Sequence, residues 1–174
     1  IAENLIQINK IKSLLLYSRT QKSSKLLNNS LKSKKSSVIS DIKSLKGIDY
    51  IIITLSGMSD SARDQSFNQR NNTYEIRQDE LKFNLGAITH LVEDLKSFSQ
   101  KTKIIVVTNP VDEITNYLRI LLNNNNIYGF GLELDAQRYE KSLNKKVFCI
   151  GTHGRAIPLL NLISEKEYNS IAEK

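Results

Sequence analysis

Three short segments in the second half of this chain, Thr108-Asn109-Pro110, Leu134-Asp135-Ala136-Gln137-Arg138 and Gly151-Thr152-His153-Gly154, supply an amide, a carboxylate with a guanidinium, and an imidazole. Together these are the groups needed to hold and protonate a 2-oxo acid. A guanidinium grips a carboxylate as a two-pronged fork, an imidazole gives and takes a proton near neutral pH, and a carboxylate fixes the imidazole tautomer. Each segment alone has an ordinary reading. Asp135 and Arg138 leave one helix face at i,i+3, and an isolated pair of that kind is most often an exposed ion pair. His153 between Gly151 and Gly154 reads as a turn histidine, because glycine lets the backbone turn tightly. Asn109-Pro110 closes the apolar run Ile104-Ile105-Val106-Val107, which puts it at the carboxyl end of a buried strand, where open α/β sheets place ligands. A strand-to-helix turn with Pro at the first helical position would look the same. The conjunction, in this order, carries the chemical reading.

The elements that must position these groups follow from apolar patterning. A helix end at 2–8, a strand from Ile11 to Tyr17, a polar stretch, a weak strand from Ser37 to Ser40 and a short helical piece from Asp41 to Lys46 open the chain. Tyr50–Thr54 reads as a buried strand, and Gln78–Phe98 as a long helix with Leu81, Leu85, Ile88, Leu91, Val92 and Leu95 on its apolar stripe. A strand at Lys103–Thr108, a helix from Val111 to Leu122 ending at the asparagine run 123–126, and a strand at Ile127–Phe130 come next. The helix carrying Asp135 and Arg138, a strand at Val147–Ile150 and a helix from Glu165 complete the order. Strands alternating with helices predict an α/β fold with a doubly wound parallel sheet.

Composition narrows the function classes. At 174 residues with 40% apolar and 25% charged residues, the chain has enough material for one sizeable core. No apolar run approaches the ~18 residues of a membrane span, and no secretory signal pattern is read at its start, so a cytoplasmic setting is expected. The one cysteine, Cys149, lies in an apolar run and reads as a small hydrophobe rather than a nucleophile. No pair of Cys, His or carboxylate positions has metal-ligand spacing, so no metal is expected. The net charge of +7 is concentrated between Ser18 and Ser40, where Arg19, Lys22, Lys25, Lys32, Lys34 and Lys35 occur with no acid. Such a stretch suits a nucleic-acid arm, but without an interleaved aromatic a solvated loop or phosphate-facing rim is favoured.

On the three segments quoted, the chain resembles the lactate/malate dehydrogenase family from about Ile11 to about Leu160. The resemblance implies a Rossmann-type sheet lacking its first strand, followed by the start of an α+β substrate domain. Residues 1–109 with the strand near 127–130 would form the partial dinucleotide-binding domain, and 131–174 the beginning of the substrate domain. It also implies roles. His153 would be the acid/base and Asp135 its orienting partner, with Arg138 holding the substrate carboxylate and Asn109 bonding substrate. Thr54, Val107, Thr108, Asn109 and Asn84 would lie on the cofactor side. The polar stretch from Gly57 to Arg77 corresponds to a loop that closes over substrate, with Arg77 stabilising charge on the carbonyl oxygen. It is longer than usual and lacks the Pro-Gly that precedes this arginine in relatives. Substrate choice falls six positions before Arg77, at Asn71 beside Arg70. Arg70 in the pocket would favour malate/oxaloacetate, and the uncharged Asn71 lactate/pyruvate.

The cofactor implied is NAD or NADP. Where relatives carry an acid for the ribose, at the end of the second strand of the family fold, this chain reads Tyr17-Ser18-Arg19-Thr20. A hydroxyl and a guanidinium suit a 2′-phosphate, which favours NADP. The glycine-rich turn that binds the pyrophosphate in such folds is not in the chain. The segment that relatives use for subunit contact also departs from the pattern, which leaves a homo-oligomer open. Two other readings stand beside the dehydrogenase. One is a degenerate homologue that keeps the fold as a ligand-binding or interaction module. The other is a nucleic-acid binder acting through residues 19–35.

Overall fold

A computed structural model describes residues 1–59, 61, 62, 64, 65 and 73–159. Arg70, Asn71 and the helix expected from Glu165 lie outside the described residues. The chain forms two compact units, Ile1–Gly47 and Ile48–Lys174.

The first unit runs α1 (Ala2–Gln7), β1 (Leu14–Leu16), α2 (Lys22–Leu31) and β2 (Ser36–Val38). β1 and β2 pair in parallel, with Leu14 opposite Ser36 and Leu16 opposite Val38. Parallel neighbours need a crossover, and α2 supplies it where the polar composition had suggested a loop. Its exposed face carries Lys22, Lys25 and Asn29, while Ser24 and Leu31 are buried. The N-cap is Gln21, and the Ser18 hydroxyl accepts the first-turn Ser24 N–H at 3.0 Å and donates to Ser24 Oγ at 2.9 Å. Ser18, expected beside a cofactor, is therefore committed to α2. The helical piece expected at 41–46 is instead a set of turns, in which the Asp41 carboxylate accepts the Lys43 N–H at 2.9 Å.

The second unit contains β3 (Tyr50–Ile53), α3 (Thr73–Leu95), β4 (Lys103–Val106), α4 (Val111–Leu122), β5 (Ile127–Gly129), α5 (Leu132–Leu143), β6 (Cys149–Ile150) and β7 (Ile157–Pro158). β3, β4 and β5 lie in that order, all parallel, with Ile51 opposite Ile104 and Ile104 opposite Ile127. Ile88, Val92 and Leu95 of α3 and Ile114 and Leu118 of α4 form one core with Ile53, Ile104, Val106 and Ile127. Because side chains alternate along a strand, these sheet residues share one face, and both crossover helices cover it. The long helix begins at Thr73 rather than Gln78, because buried Ile76 extends the stripe of Asn84, Ile88, Val92 and Leu95 toward its start. Arg77 is therefore a helical residue. Asn123, with φ of 45°, ends α4 and donates its N–H to the Arg119 and Ile120 carbonyls. β6 falls within the strand expected at Val147–Ile150, whereas β7, antiparallel to it with Ile150 opposite Ile157, has no counterpart in the sequence pattern. Among the described residues no helix is long and apolar enough to cross a membrane.

Candidate active site

The carboxyl ends of β3 and β4 are tied together before any chemistry is placed on them. The Ile53 carbonyl accepts both the Val107 N–H (2.9 Å) and the Thr108 N–H (3.2 Å). The buried Thr108 hydroxyl reaches the Leu55 carbonyl at 3.0 Å. Asn84, 3% exposed on α3, accepts the Gly57 N–H on Oδ1 and donates from Nδ2 to the Asn109 carbonyl, both at 2.6 Å. A Cβ on Gly57 would collide with the Phe83 carbonyl, so the loop after β3 requires glycine to lie this close to α3. Asn84 and Thr108 thus shape the strand ends. Thr54 is exposed, and the Asn109–Pro110 bond is cis. Among the described residues the buried Asn109 Oδ1 atom has no partner, an acceptor left over at the strand end where ligands of such sheets bind.

Asp135 lies in the first turn of α5, where the helix dipole favours a carboxylate. His153 lies on the turn after β6, which needs Gly151 at φ +111° and Gly154 at φ +84°. Asp135 Oδ2 accepts from His153 Nδ1 at 2.9 Å and from the Gly154 N–H at 2.9 Å. An ionised carboxylate only accepts, so the proton sits on Nδ1, and Nε2 is the nitrogen left for substrate. Both side chains are nearly buried, at 7% and 8% exposure. Burial alone would raise the Asp135 pKa; the Gly154 and His153 hydrogen bonds and the His153 and Arg138 charges outweigh it and hold the carboxyl below 3.8. A depressed carboxylate contributes stability that is present above the unfolded value and lost as pH falls through the folded one. Acid unfolding of Asp135→Asn is accordingly expected to be less steep below pH 3.8 than that of the parent, followed by circular dichroism.

Two groups absent from the sequence pattern complete the support. Asp112, in the first turn of α4, accepts the His153 backbone N–H at 3.0 Å. Gly131 lies directly against the ring, and a Cβ there would sit 2.6 Å from His153 Cβ and 2.8 Å from Cγ. Its φ of −148° lies outside the left-handed region, and the close approach of the ring is the demand for glycine seen at this position. Gly131→Ala is expected to cost about 1–3 kcal/mol of stability by overpacking and to displace the imidazole, checked by denaturant melts and histidine NMR shifts. The only cue to Asp112 in the sequence is its place two residues after Pro110 as a first-turn acid.

Arg138 donates to the other oxygen of Asp135 at 3.2 Å while its side chain is 64% exposed, leaving donors for an incoming carboxylate. The pair expected as a surface ion pair and the partner expected for the histidine are therefore one carboxylate with two occupied oxygens. Arg77 is paired to Glu80 at 2.8 Å, and its buried Nε has no partner among the described residues; no described contact joins it to His153. Burial first, then the Asp135 and Glu140 charges, pushes the Cys149 thiol up, which disfavours a thiolate nucleophile. His90 is exposed on α3. Among the described residues no cluster of His, Cys or carboxylates could hold a metal.

No family model matches the chain. It is 30% identical over 158 residues to a malate dehydrogenase of Flavobacterium johnsoniae, covering 83% of this chain and 46% of that protein. It is 27% identical over 122 residues to an L-lactate dehydrogenase of Thermoanaerobacterium saccharolyticum, covering 67% and 35%. The chain thus spans less than half the length of these relatives. Among solved structures, a lactate dehydrogenase from Cryptosporidium parvum complexed with lactic acid and nicotinamide adenine dinucleotide superposes over 99% of this chain and 62% of that one, with a TM-score of 0.68 at 18% identity. The fold is α/β of the Rossmann type.

Proposed function

Because the chain belongs to the lactate/malate dehydrogenase family, we propose that it carries the substrate-activating residues of an oxidoreductase acting on a 2-hydroxy acid/2-oxo acid pair. The observation that supports this best is Asp135, buried and ionised, bonded at once to His153 Nδ1 and the Gly154 amide. In the reduction direction His153 Nε2 gives its proton to the substrate carbonyl oxygen, and in the oxidation direction it takes the hydroxyl proton back. Asp135 holds the ring in the required tautomer and stabilises the imidazolium between those events. Arg138 turns its free donors to the substrate carboxylate, a bidentate grip that fixes the carbonyl against His153. Arg77 leaves Glu80 to oppose charge on the carbonyl oxygen.

A nicotinamide cofactor, when bound, supplies or accepts the hydride. The unpartnered Asn109 Oδ1 at the end of β4 fits a neighbouring amide donor, and Asn109, Val107 and Thr108 are the residues that would lie beside it. Within this reading Arg19 favours NADPH, and Arg70 favours oxaloacetate over pyruvate. The test is oxidation of reduced cofactor by this protein with oxaloacetate and with pyruvate, each with NADPH and NADH. NADPH is expected to give the higher kcat/KM, and Arg19→Ala to erode that preference by about 1–3 kcal/mol, the value of a charge-assisted bond. Turnover with neither acid would remove the dehydrogenase. Better use of pyruvate would remove malate alone.

A further inference from the structure

We propose that Asp112 is a positioning residue for the acid/base, fixing the His153 imidazole relative to the end of β4, and that it acts as a hydrogen-bond acceptor rather than as a charge. The inference deepens the dehydrogenase reading and rests on it for any effect on turnover. Asp112 lies in the first turn of α4, and its Oδ2 accepts the His153 backbone N–H at 3.0 Å across 41 residues of sequence. The segment 109–112 joins β4 to α4. It therefore carries both Asn109, at the strand end where a cofactor would lie, and the tether to the histidine.

The turn that presents His153 needs such a tether. Gly151 and Gly154 stand at φ +111° and +84°, and glycine gives the backbone around the histidine more freedom than any other residue would. Hydrogen bonding removes that freedom one amide at a time. The His153 N–H goes to Asp112, the Gly154 N–H to Asp135 at 2.9 Å, and the Arg155 N–H to the Thr152 carbonyl at 2.9 Å. The last of these is internal to the turn, and the second reaches α5. α5 holds the same region twice more, by the Asp135 bond to Nδ1 and by the Tyr139 hydroxyl, which donates to the Ala156 carbonyl at 3.2 Å. The bond to Asp112 is the one that ties this turn to α4. Without it the ring keeps its Nδ1 bond and pivots about it, which swings Nε2, the nitrogen left for substrate.

The part played by Asp112 is one of distance. The charge beside the ring is that of Asp135, whereas Asp112 meets the main chain. A backbone N–H asks only for an acceptor, and an amide oxygen serves as one. Glu113 shares the first turn of α4 and its dipole but is exposed, so it separates support of the helix from support of the histidine.

The test compares Asp112→Ala, Asp112→Asn and Glu113→Ala with the parent, by steady-state kinetics on the 2-oxo acid and by imidazole NMR spectra. Asp112→Ala is expected to lower kcat about 10-fold or more at nearly constant KM, since a ~1 Å misplacement at a reacting centre costs up to about 10²-fold. Asp112→Asn should recover kcat to within about 3-fold of the parent, because it keeps the acceptor. Glu113→Ala should turn over like the parent. The spectra ask the same question without turnover: the chain has two histidines, and exposed His90 serves as the internal reference. The His153 signal is expected to move in Asp112→Ala, return in Asp112→Asn and stay in place in Glu113→Ala. Asp112→Leu, similar in shape and without an acceptor, gives the same comparison should the alanine variant not fold. A parental kcat or an unmoved His153 signal in the acceptor-free variant would overturn the inference. So would an equal loss in Asp112→Asn, which would make the charge the cause, or in Glu113→Ala, which would make it the helix. A parent that turns over neither 2-oxo acid removes the dehydrogenase reading while the spectra still decide the tether, and an active parent with unmoved spectra removes the tether alone.

Discussion

Asp135→Asn is expected to lower kcat by about 10²- to 10⁴-fold while changing KM for the 2-oxo acid little, measured by steady-state kinetics on protein confirmed to be folded. The carboxylate holds the imidazole by Nδ1 and fixes its turn through the Gly154 amide, both at 2.9 Å. An asparagine in its place presents one acceptor and one donor. If the donor faces Nδ1, the ring is held as neutral imidazole with its proton on Nε2, a far weaker acid than imidazolium and no base toward the hydroxyl, or it rotates away. The charge is lost as well, so the imidazolium formed in the oxidation direction has no counter-ion at a site only 8% exposed. With its amide NH2 toward the ring, the asparagine keeps its oxygen toward Arg138, so substrate carboxylate recognition should survive.

Arg138→Gln should fail in a different way. KM is expected to rise about 10²-fold or more and kcat to fall as well, because a bidentate grip on the substrate carboxylate is lost and the carbonyl is no longer held against the histidine. Glutamine retains polarity without the charge or the fork. The loss cannot be assigned to stability, since an ion pair with one partner 64% exposed is worth about 0–1 kcal/mol. If the pair were only a surface contact, both variants would melt slightly earlier and turn over like the parent.

How far the chain could be read from its residues varied with how directly each residue's environment depends on its neighbours in sequence. The β4 strand and α3 were legible because their apolar periodicities are set by the core they face, Ile104 and Val106 on one side of the sheet and Ile88, Val92 and Leu95 along one stripe. α2 was not, since its sequence is mostly lysine, serine and asparagine with little apolar periodicity, and its place depends on the Ser18–Ser24 bond and on the parallel crossover that it closes. The Asp41–Lys46 segment erred in the opposite direction, as an Asx turn competed with the helix. β7 is too short to carry a pattern.

The candidate site divides in the same way. Asp135 and His153 were found because imidazole and carboxylate are chemically paired and occur in a telling order. Asp112 escaped because it holds His153 through a backbone N–H 41 residues away, and a main-chain donor leaves no mark on the sequence. Gly131 escaped because its role is a missing atom beside a ring. Asn84 and Thr108 were expected toward the cofactor, whereas their side chains bind the ends of β3 and β4 to each other.

The central claim is that one carboxylate, Asp135, serves a proton-transferring histidine on one oxygen and a substrate-anchoring arginine on the other. The measurement that tests it most directly is the pair of steady-state profiles for Asp135→Asn and Arg138→Gln, taken side by side with the parent on the same 2-oxo acid. The account predicts a loss in kcat at nearly constant KM for the first and a loss dominated by KM for the second. Near-parental kinetics in either variant would contradict it.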